Sequence, residues 1–98
     1  HYQPQKPLLC FSREELLLHL PEQKQPLALL HYTDFAHYPG LTQLAMPTKA
    51  EAFAQRLYDS LFTADQLAVS AIWCELPPDT DEWRAVNDRL SRASSQRS

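Results

Sequence analysis

The chain has 98 residues, 44% of them apolar, and a formal charge of −3. That is one domain with a modest core, and it argues against disorder. No basic stripe stands ready to neutralise phosphates and no apolar run approaches a membrane span, so the residues argue against nucleic-acid binding by this piece and against a transmembrane role.

The opening His1-Tyr2-Gln3-Pro4 shows neither an initiator Met nor a signal pattern, as expected of a trimmed or processed chain. Pro7 to Phe11 is a short apolar run that predicts a strand buried on both faces. Ser12 with Glu15 is a capping box, in which the hydroxyl and the carboxylate each satisfy a free backbone N–H. Leu16, Leu17, Leu18 and Leu20 then supply the apolar face of a short helix that Pro21 stops. Pro26 to Tyr32 predicts a second buried strand. The stretch Thr33 to Gly40 reads as a loop with a Pro39-Gly40 turn, and Leu41 to Met46 as a weaker third strand.

Thr48 and Glu51 form a second potential capping box. Phe53, Leu57, Tyr58 and Leu61 behind it predict an amphipathic helix ending near Asp65. Val69 to Leu76 is the strongest strand former, broken by Pro77-Pro78. Asp79 or Thr80 can cap a last helix, with Asp81 and Glu82 near its positive end and Trp83, Val86, Leu90 and Ala93 along one face. The polar run from Ser91 to Ser98 reads as a natural end. Alternating helices and non-alternating apolar strands predict a small, mostly parallel sheet with helices on its faces, joined by right-handed crossovers. Only the second and third strands lack an obvious helix between them.

Candidate chemistry is sparse. A phosphate-cradling loop needs glycines, and the single glycine, Gly40, follows a proline in a turn, away from any strand-to-helix junction. His31, Asp34 and His37 are ligand types, but their spacing matches no metal pattern and they fall in a loop. Trp73 and Trp83 read as core or interface residues. Cys10 and Cys74 sit in separate apolar segments and read as buried reduced thiols; a disulfide would require those segments to be neighbours. Asp88 and Arg89 flank the apolar face of the last helix, as an exposed pair or as a fixed polar contact to a loop or partner domain.

Three stretches resemble the long form of the threonylcarbamoyl-AMP synthase family, in which a YrdC-like catalytic domain is joined by a linker to a smaller C-terminal domain. They are His1-Tyr2-Gln3-Pro4 with Pro7-Leu8, the helix with Leu57-Tyr58, Leu61 and Asp65, and the segment from Ile72 to Leu90 with Glu75, Pro77-Pro78 and Asn87-Asp88-Arg89-Leu90. Phe62 and Thr63 stand where the family often carries a basic residue, and the stretch His31 to Leu44 contributes nothing to the likeness.

The resemblance implies a small Rossmann-like, three-layer α/β domain of about four strands. Residues 1–6 would be the end of the interdomain linker, and residues 7–98 a non-catalytic C-terminal accessory domain. It implies that His1, Tyr2 and Pro4 lie near the parent's active site, and that Tyr58, Asp65, Asn87, Asp88 and Arg89 are structural or interdomain residues. No catalytic residue, metal or cofactor is expected in this fragment; ATP, with Mg as its candidate companion, belongs to the parent's catalytic domain, which turns L-threonine, bicarbonate and ATP into threonylcarbamoyl-AMP for tRNA modification. The expected partner is that catalytic domain, in a cytoplasmic monomer. Two rivals remain on the residues alone: a freestanding small α/β module binding a protein or nucleotide, and a small metal-dependent hydrolase using His31, Asp34 and His37.

Overall fold

A computed structural model of the chain describes residues 2–94. The elements are β1 (Leu8–Phe11), α1 (Arg13–His19), β2 (Leu27–His31), β3 (Leu41–Ala45), α2 (Ala50–Asp65), β4 (Ala71–Glu75) and α3 (Arg84–Ala93). Single 3-10 turns lie at Leu20–Glu22 and Asp81–Trp83. All four strands are parallel, in the order β1-β4-β2-β3. This is the α/β three-layer arrangement that the alternation of elements implies.

Burial follows position in the sheet. The central strand β2 is buried at every residue and β4 at all but Ala71. The expected burial of β1 on both faces holds only at Leu8, because β1 is an edge strand with a neighbour on one side. Strand alternation sends Ala28, Leu30, Ile72 and Cys74 to one face, where they meet Phe53, Leu57 and Leu61 of α2 and Val86 and Leu90 of α3. Leu27, Leu29, Leu41 and Trp73 face the other way and pack on Leu16 and Leu20. Full burial of Phe53, Leu57 and Leu61 contributes about 1.5–3 kcal/mol for each side chain. Trp83, also buried, stacks on Tyr32 and meets Phe53 edge-on.

Local expectations meet mixed outcomes. The Ser12–Glu15 capping box is present. The four-leucine face of α1 is corrected: Leu16 and Leu20 are buried, whereas Leu17 is 44% and Leu18 70% exposed. Consecutive helical residues point about 100° apart, so the run cannot share one face, while residues four apart can. α1 ends at His19, just ahead of Pro21 as expected, and the chain then tightens into a single 3-10 turn that contains the proline.

The second capping box is absent. Phe53 N–H bonds the carbonyl of Lys49 at 2.8 Å, which makes Lys49 the N-cap and leaves Thr48 one residue too early. Neither Asp79 nor Thr80 caps α3, because the 3-10 turn at Asp81–Trp83 precedes it and supplies its first turn.

β2 and β3 pair in parallel without a helix between them. The connecting loop does a helix's work by sending Phe35 and Tyr38 into the α1-side cluster. It ends at Gly40, whose φ of 79° lies in the left-handed region that favours glycine. That turn is closed by Leu41 N–H on the Tyr38 carbonyl and by Leu27 N–H on the Gly40 carbonyl.

Candidate functional site

A dense polar contact lies where residues 2–6 cross the C-terminal end of α2. Asp65 is the last residue of that helix. A carboxylate there faces the negative end of the helix dipole, and the final carbonyls lack helical partners. Both deficits are met from the N-terminal segment. Asp65 Oδ2 accepts from the Tyr2 hydroxyl at 2.7 Å and from Gln5 N–H at 2.9 Å, and Oδ1 accepts from Lys6 N–H at 3.0 Å. The Lys6 ammonium donates to the Asp65 carbonyl oxygen.

Burial acts to raise the Asp65 pKa. The hydrogen bonds from Gln5, Lys6 and Tyr2 and the Lys6 charge together outweigh it and hold the carboxyl below its ordinary value. The same contact pushes the Tyr2 phenol up to about 12, through burial, the hydrogen bond to Asp65 and the Asp65 charge.

Sequence spacing places the rest of the contact. Tyr58, Phe62 and Asp65 follow at intervals of four and three, one stripe of α2 beside its core-facing stripe of Phe53, Leu57 and Leu61. The Tyr2 ring meets Tyr58 edge-on at 6.3 Å and Phe62 at 6.5 Å. Pro4 is buried, and Pro4 and Pro7 restrict the backbone on either side of the two donated N–H groups. The structure thus brings Tyr2, Tyr58 and Asp65 together. His1 lies outside the described residues. Phe62 was missed by sequence reasoning, although the Tyr58–Phe62–Asp65 spacing carries it.

Asn87, Asp88 and Arg89 lie elsewhere. The Asn87 amide donates to the Pro78 carbonyl at 3.1 Å and so ties α3 to the loop after β4. Asp88 is exposed, in a surface hollow shared with Asp79, Thr80, Asp81, Arg84 and Asn87. Arg89 is half-buried. Among the described residues, no hydrogen bond or ion pair joins these three to residues 2–6.

A second polar cluster lies at the carboxyl end of the sheet; the resemblance marked Glu75, but nothing in the sequence pointed to its partners. Glu75 is 1% exposed. Its Oε1 accepts from Tyr32 and Thr33 N–H at 2.9 and 3.0 Å, and its Oε2 from the Thr33 hydroxyl at 2.6 Å. The Thr33 oxygen in turn accepts from Arg13, whose guanidinium also bonds the Asp34 carbonyl and lies over Phe35. Burial, followed by the charges of Glu75 and Cys74, pushes the Tyr32 phenol up. Among the described residues every buried side-chain nitrogen and oxygen has a partner, so the Glu75 carboxylate acts as a brace between β4 and the end of β2.

His31, Asp34 and His37 do not converge. The His31 ring contacts the Thr33 carbonyl at 2.7 Å and Phe35 edge-on, while Asp34 and His37 are exposed. Among the described residues, no three His, Cys, Asp or Glu are grouped to hold a metal, and no helix is long and apolar enough to cross a membrane.

No curated protein matches the chain, and neither does any solved structure. The family model described as threonylcarbamoyl-AMP synthase, C-terminal domain, matches residues 1–95, which takes in the N-terminal segment, the Asp65 contact and the Asn87-Asp88-Arg89 helix. With nearly the whole sequence matched, the chain belongs to the family of threonylcarbamoyl-AMP synthase C-terminal domains.

Proposed function

We propose that this domain is the non-catalytic accessory part of a threonylcarbamoyl-AMP synthase, and that residues 1–6 are the end of the linker from its YrdC-like catalytic domain. The domain anchors that linker and so limits opening of the catalytic cleft. Shielding a cleft from water is a recognised role for such segments. The observation that carries this reading is the set of hydrogen bonds from Tyr2, Gln5 and Lys6 onto Asp65. A linker that merely connected two domains would not need a dedicated acceptor at a helix end.

On this reading the parent, a cytoplasmic monomer, makes threonylcarbamoyl-AMP from L-threonine, bicarbonate and ATP for tRNA modification. ATP and Mg belong to the preceding domain.

The test is Asp65→Ala in the two-domain protein. The rate of threonylcarbamoyl-AMP formation changes while the domain stays folded by circular dichroism. A rate indistinguishable from the unaltered protein, with a folded domain, removes the anchoring role.

A further inference from the structure

Cys10 and Cys74 occupy the same register position on the adjacent parallel strands β1 and β4. Their backbones therefore lie one strand spacing apart, about 4.8 Å. That is within the Cα separation a disulfide spans, about 4.4–6.8 Å. Both side chains turn to the α2–α3 face, where Cys74 belongs to the core and Cys10 packs against it. Neither is in a disulfide, and the two thiols lie within hydrogen-bonding reach of each other, with the Cys74 thiol also directed at the Glu75 carbonyl at 3.6 Å. We propose that the pair is a redox-modification site, at which a small-molecule disulfide drives formation of an intramolecular Cys10–Cys74 bond between the edge strand and its neighbour.

The two thiols are not equivalent. The hydrogen bond from Cys74 holds the Cys10 thiol below its usual pKa, against the opposing effect of burial. The hydrogen bond to Cys10, complete burial and the charges of Cys10 and Glu75 push Cys74 well above its usual value. Cys10 is also the half-buried member, on a strand with no neighbour on its outer side, whereas Cys74 is fully enclosed.

The order of events follows from that asymmetry. The Cys10 thiol ionises and its thiolate attacks one sulfur of the small disulfide, forming a mixed disulfide and releasing the first small thiolate, which takes up the proton Cys10 lost. Cys74 gives up its proton and attacks Cys10 Sγ, forming the Cys10–Cys74 bond. The second small thiolate departs and takes up that proton. Two protein thiols are oxidised and one small disulfide is reduced to two thiols. A reduced cytosolic pool reverses the reaction, so the bond is a transient mark rather than a permanent staple.

The probe is oxidised glutathione added to the folded chain, followed by alkylation in denaturant and intact-mass measurement. The expected product has lost two hydrogen atoms, carries no glutathione and accepts no alkyl group. Cys74→Ser stops with one glutathione on Cys10, and Cys10→Ser stays reduced because its remaining thiol is buried. A wild-type chain that keeps two alkylatable thiols, or accumulates a stable glutathione adduct, overturns the proposal. Should either variant fail to fold, the wild-type mass alone decides.

Discussion

The Tyr2 hydroxyl donates to Asp65 across 63 sequence steps, and it does so at the one α-helix end, among the described residues, that carries a carboxylate in its final position. Two backbone N–H groups from the same short segment converge on that carboxylate. A surface ion pair of long side chains is worth little. Here a short, fixed side chain accepts from groups that two prolines and the half-buried Tyr2 ring already hold in place, so less freedom is lost in forming the contact.

Replacing Asp65 with Ala leaves the Gln5 and Lys6 amides without acceptors. Loss of about 1–2 kcal/mol in urea unfolding is expected, after discounting for the partial exposure of the site. Hydrogen exchange at those two amides should quicken well beyond that global change. Unaltered exchange would show that the aromatic contacts of Tyr2 alone hold the segment.

Docking of residues 2–6 depends on pH at both extremes. The folded Asp65 pKa is depressed, so its contribution is complete above the unfolded carboxylate value and is lost as pH falls through the folded one. Tyr2 is raised from 10.0 to about 12, so its contribution is complete below the unfolded value and is lost as pH rises toward the folded one. Amide chemical shifts of Gln5 and Lys6 should move in both windows. Asp65→Asn should abolish the acidic transition, and Tyr2→Phe the alkaline one.

Glu75→Ala strands the Tyr32 and Thr33 N–H groups in a nearly closed site. Destabilisation of about 2–4 kcal/mol is expected, with Glu75→Gln intermediate because the amide keeps one acceptor oxygen. Chemical denaturation measures both. Equal losses would mean that the brace works through packing rather than through its acceptors.

Leu16→Ala and Leu18→Ala test the corrected face of α1. Leu16 is 0% and Leu18 70% exposed. The first substitution should cost about 2–5 kcal/mol and the second should stay within about 0.5 kcal/mol. Similar thermal midpoints for the two variants would contradict the burial of Leu16.

What sequence reasoning could reach was whatever periodicity or short-range chemistry encodes. Leu27 to His31 form an unbroken buried run, and Phe53, Leu57 and Leu61 recur at helical spacing; both needed no tertiary information. The leucine run at 16–18 has no internal phase, so only packing against Leu27 and Leu29 shows which member faces inward. Thr48 and Glu51 have the right spacing for a cap, but the first helical hydrogen bond forms one residue later. Glu75 looked like the tail of a strand, because its partners Tyr32 and Thr33 lie more than 40 positions upstream. Tyr58 and Asp65 were marked by resemblance, yet their joint contact with Tyr2 follows from the register that lays β1 beside β4.

The placement of the Asp65 contact ahead of β1 has a mechanical meaning. Any tension arriving through residue 2 is received at the end of α2 before it reaches Leu8, the first residue of the sheet. Residues 2–6 therefore act like the strain relief on a cable: the clasp yields first, and the β1–β4 ladder carries load only after it has opened. On the proposed linker reading, tugging by the preceding domain would fall first on a few exchangeable hydrogen bonds at Asp65 rather than on the core.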